Sequence, residues 1–437
     1  MKKNFFSLIL ILLSVTIFVY LLYKSEIIWV GNNRNYYYPY FCITLFLMIL
    51  SLSSLYMSRA LKTYFFISTL SIFFSLYAFE SYLLIFKDSH NNFIRSIKYK
   101  ITTGRKYENR TKYEIYTDLK KLNSSVAVNL SPSNQLFSNN NHLFRLSGKS
   151  KSETIYCNEN GYYSMYESDR FGFNNPDSVW DDSEIEYILI GDSFTHGACV
   201  NSPFDIASKL RILSKKPVIN LGYGGNGPLI ELATLREYYP KKFKKIIWFY
   251  YEGNDNSDFI KESKNKILIN YLKDFNYSQN LKNKQGLIDK TLDNLLINYD
   301  HSETDRIKRF NKINKFIKLY HLRSIFKYKE INILAPDYDE LKNIFKMTKR
   351  FASINGAKLY FVYLPSIDRY KSKNFSNENF YKIKNLIDNL NISFIDINKK
   401  VFSKRKDPIN LFPNKIHIHY NAEGYEKIAN AVYKLTK

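Results

Sequence analysis

The sequence predicts an α/β domain of three layers around a mainly parallel sheet, preceded by a three-helix transmembrane region. Three observations predict it. From Glu184 onward, short apolar runs alternate with stretches of helical spacing, the pattern of repeated strand–helix units. Those strand candidates are almost continuously apolar rather than alternating, so both faces of the sheet are covered. Before them, the first ninety residues hold three apolar runs, each near the ~20 residues a helix needs to cross a hydrocarbon core.

The first run, Phe5 to Leu22, is uninterrupted. Lys2 and Lys3 give it the start of a signal peptide. "YLLYKSE" offers no small-residue cleavage site, however, and two more runs follow, so it reads as a retained anchor. The second run covers about 41–57. The third, about 63–86, is broken only by small polar residues and Glu80. Glu80 lies near the outer end of its span, where a long acidic side chain is expected to reach the interface. Lys2, Lys3, Arg59 and Lys62 share one side, which the positive-inside tendency makes cytoplasmic. The expected location is therefore the inner (cytoplasmic) membrane, multi-pass, with the chain from about Lys87 on the extracytoplasmic side. The expected divisions are a transmembrane anchor over 1–90, a connector over 91–182 that packs on the next domain, and an α/β domain over 183–437.

Composition narrows the partners. Lys and Arg exceed Asp and Glu by 24 in 437 residues, which raises nucleic acid as a partner. The basic residues are scattered rather than gathered on one helix or loop, so no nucleic-acid partner is expected. A solvated basic surface suits an anionic glycan or the anionic membrane face. Cys42 falls inside the second span. Cys157 and Cys199 fall in the outer part, where two cysteines can pair. Such a bridge would brace the turn that holds Ser193; two buried free thiols are the alternative.

The α/β elements follow in order. Glu186 to Ile190 is a strand and Phe204 to Leu213 a helix. Pro217 to Leu221 is a strand ending in "GYGGNG", and Leu229 to Tyr239 is a helix. Lys245 to Tyr251 is a strand ending in Glu-Gly-Asn-Asp. A Lys- and Asn-rich stretch, about 256–336, reads as a helical insertion, either a lid or a docking surface. Then come a helix over Tyr338 to Asn355, a strand in "AKLYFVYLP", a helix over Phe380 to Leu390 and a strand in "ISFIDI". Asn421, a natural N-cap, opens the last helix.

Sites in such sheets form outside the carboxyl ends of the strands. Three consecutive strands end in polar, glycine-bearing turns: Gly191-Asp192-Ser193, Asn220-Leu221-Gly222-Tyr223-Gly224 and Gly253-Asn254-Asp255. One edge thus gathers a hydroxyl, a glycine-lined backbone and an amide, the parts of an acyl-transfer site. The serine attacks a carbonyl, and the N–H of Ser193, the N–H of Gly224 and the Asn254 amide hold the oxyanion. His419, just before the last helix, is the candidate base.

These motifs in this order, followed by "YNAEGYEKIA", resemble the SGNH (GDSL) hydrolase family over about Asp182 to Lys437. The resemblance implies a flavodoxin-like fold, Ser193 as nucleophile, Gly224 (or Gly222) and Asn254 in the oxyanion hole, and His419 as base. It implies no metal and no organic cofactor. Members are esterases, lipases, thioesterases and carbohydrate acetylesterases. Membrane-tethered members are associated with acylation or deacylation of envelope polysaccharides. The sequence departs from the family in the acid: the usual positions before the histidine hold Ile416 and His417. Asp396 and Asp407 are the expected substitutes, with a Ser–His dyad as the alternative. Asp192 is expected to be a structural turn residue and His196 a surface one. His417 and His419 form His-x-His without a third ligand, so no metal is expected.

The expected function is a membrane-tethered serine esterase that hydrolyses an ester, such as an O-acetyl group on an envelope glycan. The alternatives are an O-acyltransferase using the same residues and a non-catalytic module binding a glycan or a membrane-protein partner. The expected partners are the lipid bilayer and an ester or glycan substrate.

Overall fold

Ile188 to Ile190 and Ile246 to Tyr251 carry no charge, and both segments lie buried in the middle of one sheet. This is how the chain appears in a computed structural model, which describes residues 4–28, 31, 34–136, 143–297, 313–325, 336–372 and 375–437. The chain divides into two compact units. One is Met1–Ile94 with Ser302–Ala335; the other is Arg95–His301 with Pro336–Lys437.

The second unit contains two sheets. A small one joins β1 (Ala127–Val128), β2 (Glu153–Ile155) and β3 (Met165–Glu167), with β2 and β3 antiparallel. The main sheet has five parallel strands: β4 (Ile185–Ile190), β5 (Val218–Asn220), β6 (Phe243–Tyr251), β7 (Lys358–Leu364) and β8 (Ser393–Asp396). Their spatial order is β5-β4-β6-β7-β8. Leu189 sits opposite both Asn220 and Ile247, and Ile247 opposite Tyr360. Order 2-1-3-4-5 is the flavodoxin-like arrangement, whose switch point lies between the first and third strands. Here those are β4 and β6.

Side chains alternate across the strands, and each face packs its own helices. Ile188, Ile190, Trp248 and Tyr250 join a core with the helices Pro228–Tyr238, Tyr338–Ile354 and Glu378–Asn389. Leu189, Ile247 and Phe249 join another with Ile206–Ser214 and Ala422–Thr436. The result is the three-layered parallel α/β domain that the sequence predicts.

Two segments behave as part of this unit. In the stretch "DRFGFNNPDSVW", Phe173 is buried in the first core, and Asn175 pairs with the backbone of Asn220 through both amide atoms. In the insertion, helices Lys266–Lys273 and Gln285–Ile297 bury Leu268, Tyr271, Ile288 and Leu292 in the same core. Glu237 accepts the N–H groups of Gln279 and Leu281, pinning the connection between these helices. Insertion residues 298–312 and 326–335 lie outside the described residues.

The first unit holds helices Phe5–Leu22 and Arg34–Ser53 and the start of Arg59–Thr103. Three spans, Phe5–Ile27, Tyr36–Tyr56 and Arg59–Ile85, are long and apolar enough to cross a membrane. The third helix runs past the end of its apolar stretch. Its sequence has no Gly or Pro until Gly104, whose φ of +70° and N–H bond to the Lys100 carbonyl close it. Glu80 does not reach for the interface as expected. It is fully buried and accepts the N–H groups of His321 (2.9 Å) and Leu322 (2.7 Å). Tyr77 donates to the Ile317 carbonyl, so residues 313–325 of the insertion pack in this unit.

Candidate active site

β4 ends at Ile190, and the chain then turns sharply. A Cβ at Gly191 would lie 2.1 Å from Thr195 Oγ1 and 2.8 Å from the Phe249 carbonyl oxygen, so only glycine fits. Asp192 caps the short helix Ser193–His196 by accepting the Phe194 N–H at 2.9 Å. Asp192 is thus the structural turn residue expected. Burial pushes its carboxyl up to about 6. Ser193 emerges at the first helical position, beside the switch point.

His419 is brought over this edge from the other end of the chain. Tyr420 is fully buried and donates to the Pro365 carbonyl at 2.6 Å. Asn421 caps the last helix through the Gly424 N–H. Anchored on that side, the imidazole packs on the Phe194 ring, with centroids 4.9 Å apart. Its Nε2 lies 2.9 Å from Ser193 Oγ.

The other ring nitrogen faces a residue that the sequence reading missed. His419 Nδ1 lies 2.9 Å from Glu159 Oε1, and the His419 backbone N–H donates to Glu159 Oε2 at 3.1 Å. Burial acts to raise the Glu159 carboxyl, but the His419 hydrogen bonds and the nearby His419 and His417 outweigh it. The group is held below the ordinary glutamate range. A carboxylate here accepts the Nδ1 proton and leaves the Nε2 lone pair facing the serine hydroxyl.

The two expected acids stand elsewhere. Asp396, at the end of β8, accepts the Lys399 N–H at 3.0 Å and so serves its own turn. Asp407 forms an exposed ion pair with Lys415 at 2.7 Å. Neither bonds to His419.

Glu159 sits in the loop between β2 and β3, and a disulfide holds that loop in place. Cys157, two residues before it, is bonded to Cys199, six residues after Ser193. Asn160 adds a hydrogen bond to the Cys199 carbonyl at 2.8 Å. The loop of Glu159 and the turn of Ser193 are therefore tied covalently.

The glycine turn differs from the expected arrangement. The Gly224 N–H donates to His196 Nδ1 at 3.2 Å and is not free for an oxyanion. His196 is no surface residue. It is fully buried among the rings of Tyr156, Tyr166 and Tyr223, at 4.5, 4.9 and 4.6 Å, and burial drives it down to about 3, so it stays neutral. The Gly222 N–H is also taken, by Asn220 Oδ1 at 2.9 Å. The next peptide is arranged differently. The Gly224 carbonyl accepts the Ser131 hydroxyl at 2.6 Å, while among the described residues the Gly225 N–H has no partner. At the third strand end, Asn254 gives one amide hydrogen to Asp258 at 2.7 Å, which leaves the other.

Behind the turns lie several fully buried carboxyls. Asp255 accepts the Tyr251 N–H, Glu231 accepts the Trp248 indole N–H, and Glu262 accepts the N–H groups of Gly227 and Leu229. Burial raises all three, Glu262 to about 8.

The chain matches no family model and no curated protein. Among solved structures it is similar to one described as "Structure of a putative lipolytic protein of G-D-S-L family from Desulfitobacterium hafniense DCB-2". The two share 14% sequence identity at a TM-score of 0.31, over 58% of this chain and 99% of that one.

Proposed function

We propose that the chain is a membrane-tethered serine esterase with Ser193 as nucleophile, His419 as base and Glu159 as the acid that orients it. The observation that supports this best is the unbroken series Glu159–His419–Ser193, with both bonds at 2.9 Å. In this reading His419 Nε2 takes the hydroxyl proton as Ser193 Oγ attacks the ester carbonyl. The N–H of Ser193, the N–H of Gly225 and the free Asn254 amide hydrogen stabilise the oxyanion, where one donor is worth ~10²–10³ in rate. His419 then gives its proton to the leaving alcohol. Water, activated in the same way, releases the acyl group.

The three apolar spans and the charges beside them support a multi-pass membrane protein with this unit outside the cytoplasm. An O-acylated sugar of an envelope glycan suits that setting as substrate. The non-catalytic alternative rested on a missing acid, and Glu159 removes that support.

The test uses the full chain in detergent with a fluorophosphonate probe and a chromogenic acetate ester. Labelling and turnover that disappear in Ser193→Ala support the proposal. Equal signals in folded wild type and variant would overturn it. Adding a glycan acceptor and analysing the products shows whether water or a sugar hydroxyl receives the acyl group.

A further inference from the structure

We infer that the Cys157–Cys199 disulfide masks a divalent-metal site of zinc-like chemistry, formed by Cys199 Sγ, His419 Nδ1 and Glu159. These three ligand atoms lie within 4.8 Å of one another. Cys199 Sγ is 3.9 Å from His419 Nδ1, which is itself 2.9 Å from Glu159 Oε1. A tetrahedral ion with metal–sulfur and metal–nitrogen bonds of ~2.3 and ~2.0 Å sets its ligands roughly 3.3–3.6 Å apart. Closing the widest pair from up to 4.8 Å to that spacing takes a little over an ångström, shared between two side chains, and would seat the ion with a water in the fourth position. Thiolate, imidazole and carboxylate are the donors such an ion prefers. Glu159 and His419 are only 15% and 18% exposed and Cys199 is fully buried, so the donors are already largely withdrawn from water.

In the oxidised protein the Cys199 sulfur is bonded to Cys157 and has no thiolate to offer. A dithiol reductant would open the site. It gives two electrons and two protons to the disulfide, becomes a disulfide itself, and leaves thiols at Cys157 and Cys199. The Cys199 thiol then loses its proton as the metal binds. Cys157 is half-buried, and a cavity of about 420 Å³ is lined by Asn160 and Val200, the sequence neighbours of Glu159 and Cys199.

Binding would also change the histidine. With the metal on Nδ1, the imidazole keeps its proton on Nε2 and presents an N–H, not a lone pair, to Ser193. Loading would therefore switch off the proposed esterase, and this consequence alone rests on the proposed function.

The site is tested on the full chain in detergent with Co²⁺ as the probe, read by thiolate-to-cobalt absorption. Wild type should show no such band until a phosphine reductant is added, and then one equivalent that Zn²⁺ displaces. Cys157→Ser, which frees Cys199 without any reductant, should bind constitutively. Cys199→Ser should show no band under either condition. The inference is overturned if neither reduced wild type nor Cys157→Ser develops the band, or if Cys199→Ser binds Co²⁺ equally well. Cobalt absorption needs no turnover, so failure of the esterase reading leaves this test intact. Where Cys157→Ser does not fold, reduced wild type decides alone. If the protein does turn over acetate, metal loading should abolish the activity and a chelator should restore it.

Discussion

Glu159 is the residue whose role depends most on a single geometry. Its carboxylate bonds His419 alone, through the ring nitrogen and the backbone N–H, so Glu159→Gln should leave the site assembled but remove the charge that sets the tautomer. A fall in kcat on the order of 10²–10⁴-fold with little change in KM is expected, measured on a chromogenic acetate. Asp396→Asn and Asp407→Asn should each retain wild-type kcat, because their carboxylates serve Lys399 and Lys415. A loss in either, without one in Glu159→Gln, would return the acid to the downstream segment. Ser193 and His419 were legible because each sits at a boundary the sequence marks, one after an apolar strand and one before a capped helix. Glu159 was not, because it lies 260 residues from His419 in a hairpin loop with no periodicity. One signal could have pointed to it. The two cysteines that read as a brace for the nucleophile turn carry Asn158 and Glu159 with them.

Elements explain what the residues alone do not. At the turn after β5 the Ser131 hydroxyl holds the Gly224 carbonyl, and the N–H of the same peptide, that of Gly225, has no partner among the described residues. In the proposed mechanism Ser131 is therefore a positioning residue, acting through that peptide. Ser131→Ala should lower kcat about tenfold, near the net worth of one hydrogen bond, with KM little changed, and Ser131→Thr should recover most of it. The readout is steady-state hydrolysis, together with affinity for a boronate analogue of the tetrahedral state. The glycine turn was legible as a turn but not in its detail. His196 takes the Gly224 N–H, and a histidine after a serine turn gives no sign that three tyrosines will enclose it. The five main strands, even the three-residue β5, were legible because each lies in a mainly apolar run flanked by helical spacing. The small sheet was not: its strands are two or three residues long and lie among polar residues without that spacing.

Over the whole molecule, burial of charge sets the behaviour. Glu262 takes up a proton on folding because its site raises it to about 8. Its contribution to stability is complete below the ordinary glutamate range and is lost as pH rises through about 8. Asp192, raised to about 6, acts in the same sense at lower pH. The thermal midpoint of the α/β unit should therefore fall as pH rises across this window, and Glu262→Gln should give a lower but flatter profile. An equal slope in both proteins would remove Glu262 from the account. In the apolar unit, Glu80→Ala would strand the N–H groups of His321 and Leu322, at about 1–3 kcal/mol for each buried donor left without a partner. A lower melting temperature in detergent with Ser193 labelling retained is the expected result. The three spans were legible from length and composition. The packing of residues 313–325 against the third was not, since a basic stretch far down the chain gives no local sign of its acceptor.

The order of the parts along the chain has a consequence in time. Glu159 and Ser193 are synthesised early, whereas His419 follows Ser193 by 226 residues. At ~5–20 residues per second, roughly 10–45 s separate the synthesis of Ser193 from that of His419. In the proposed mechanism the site is armed only once His419 and the helix that follows it dock against the turn of Ser193.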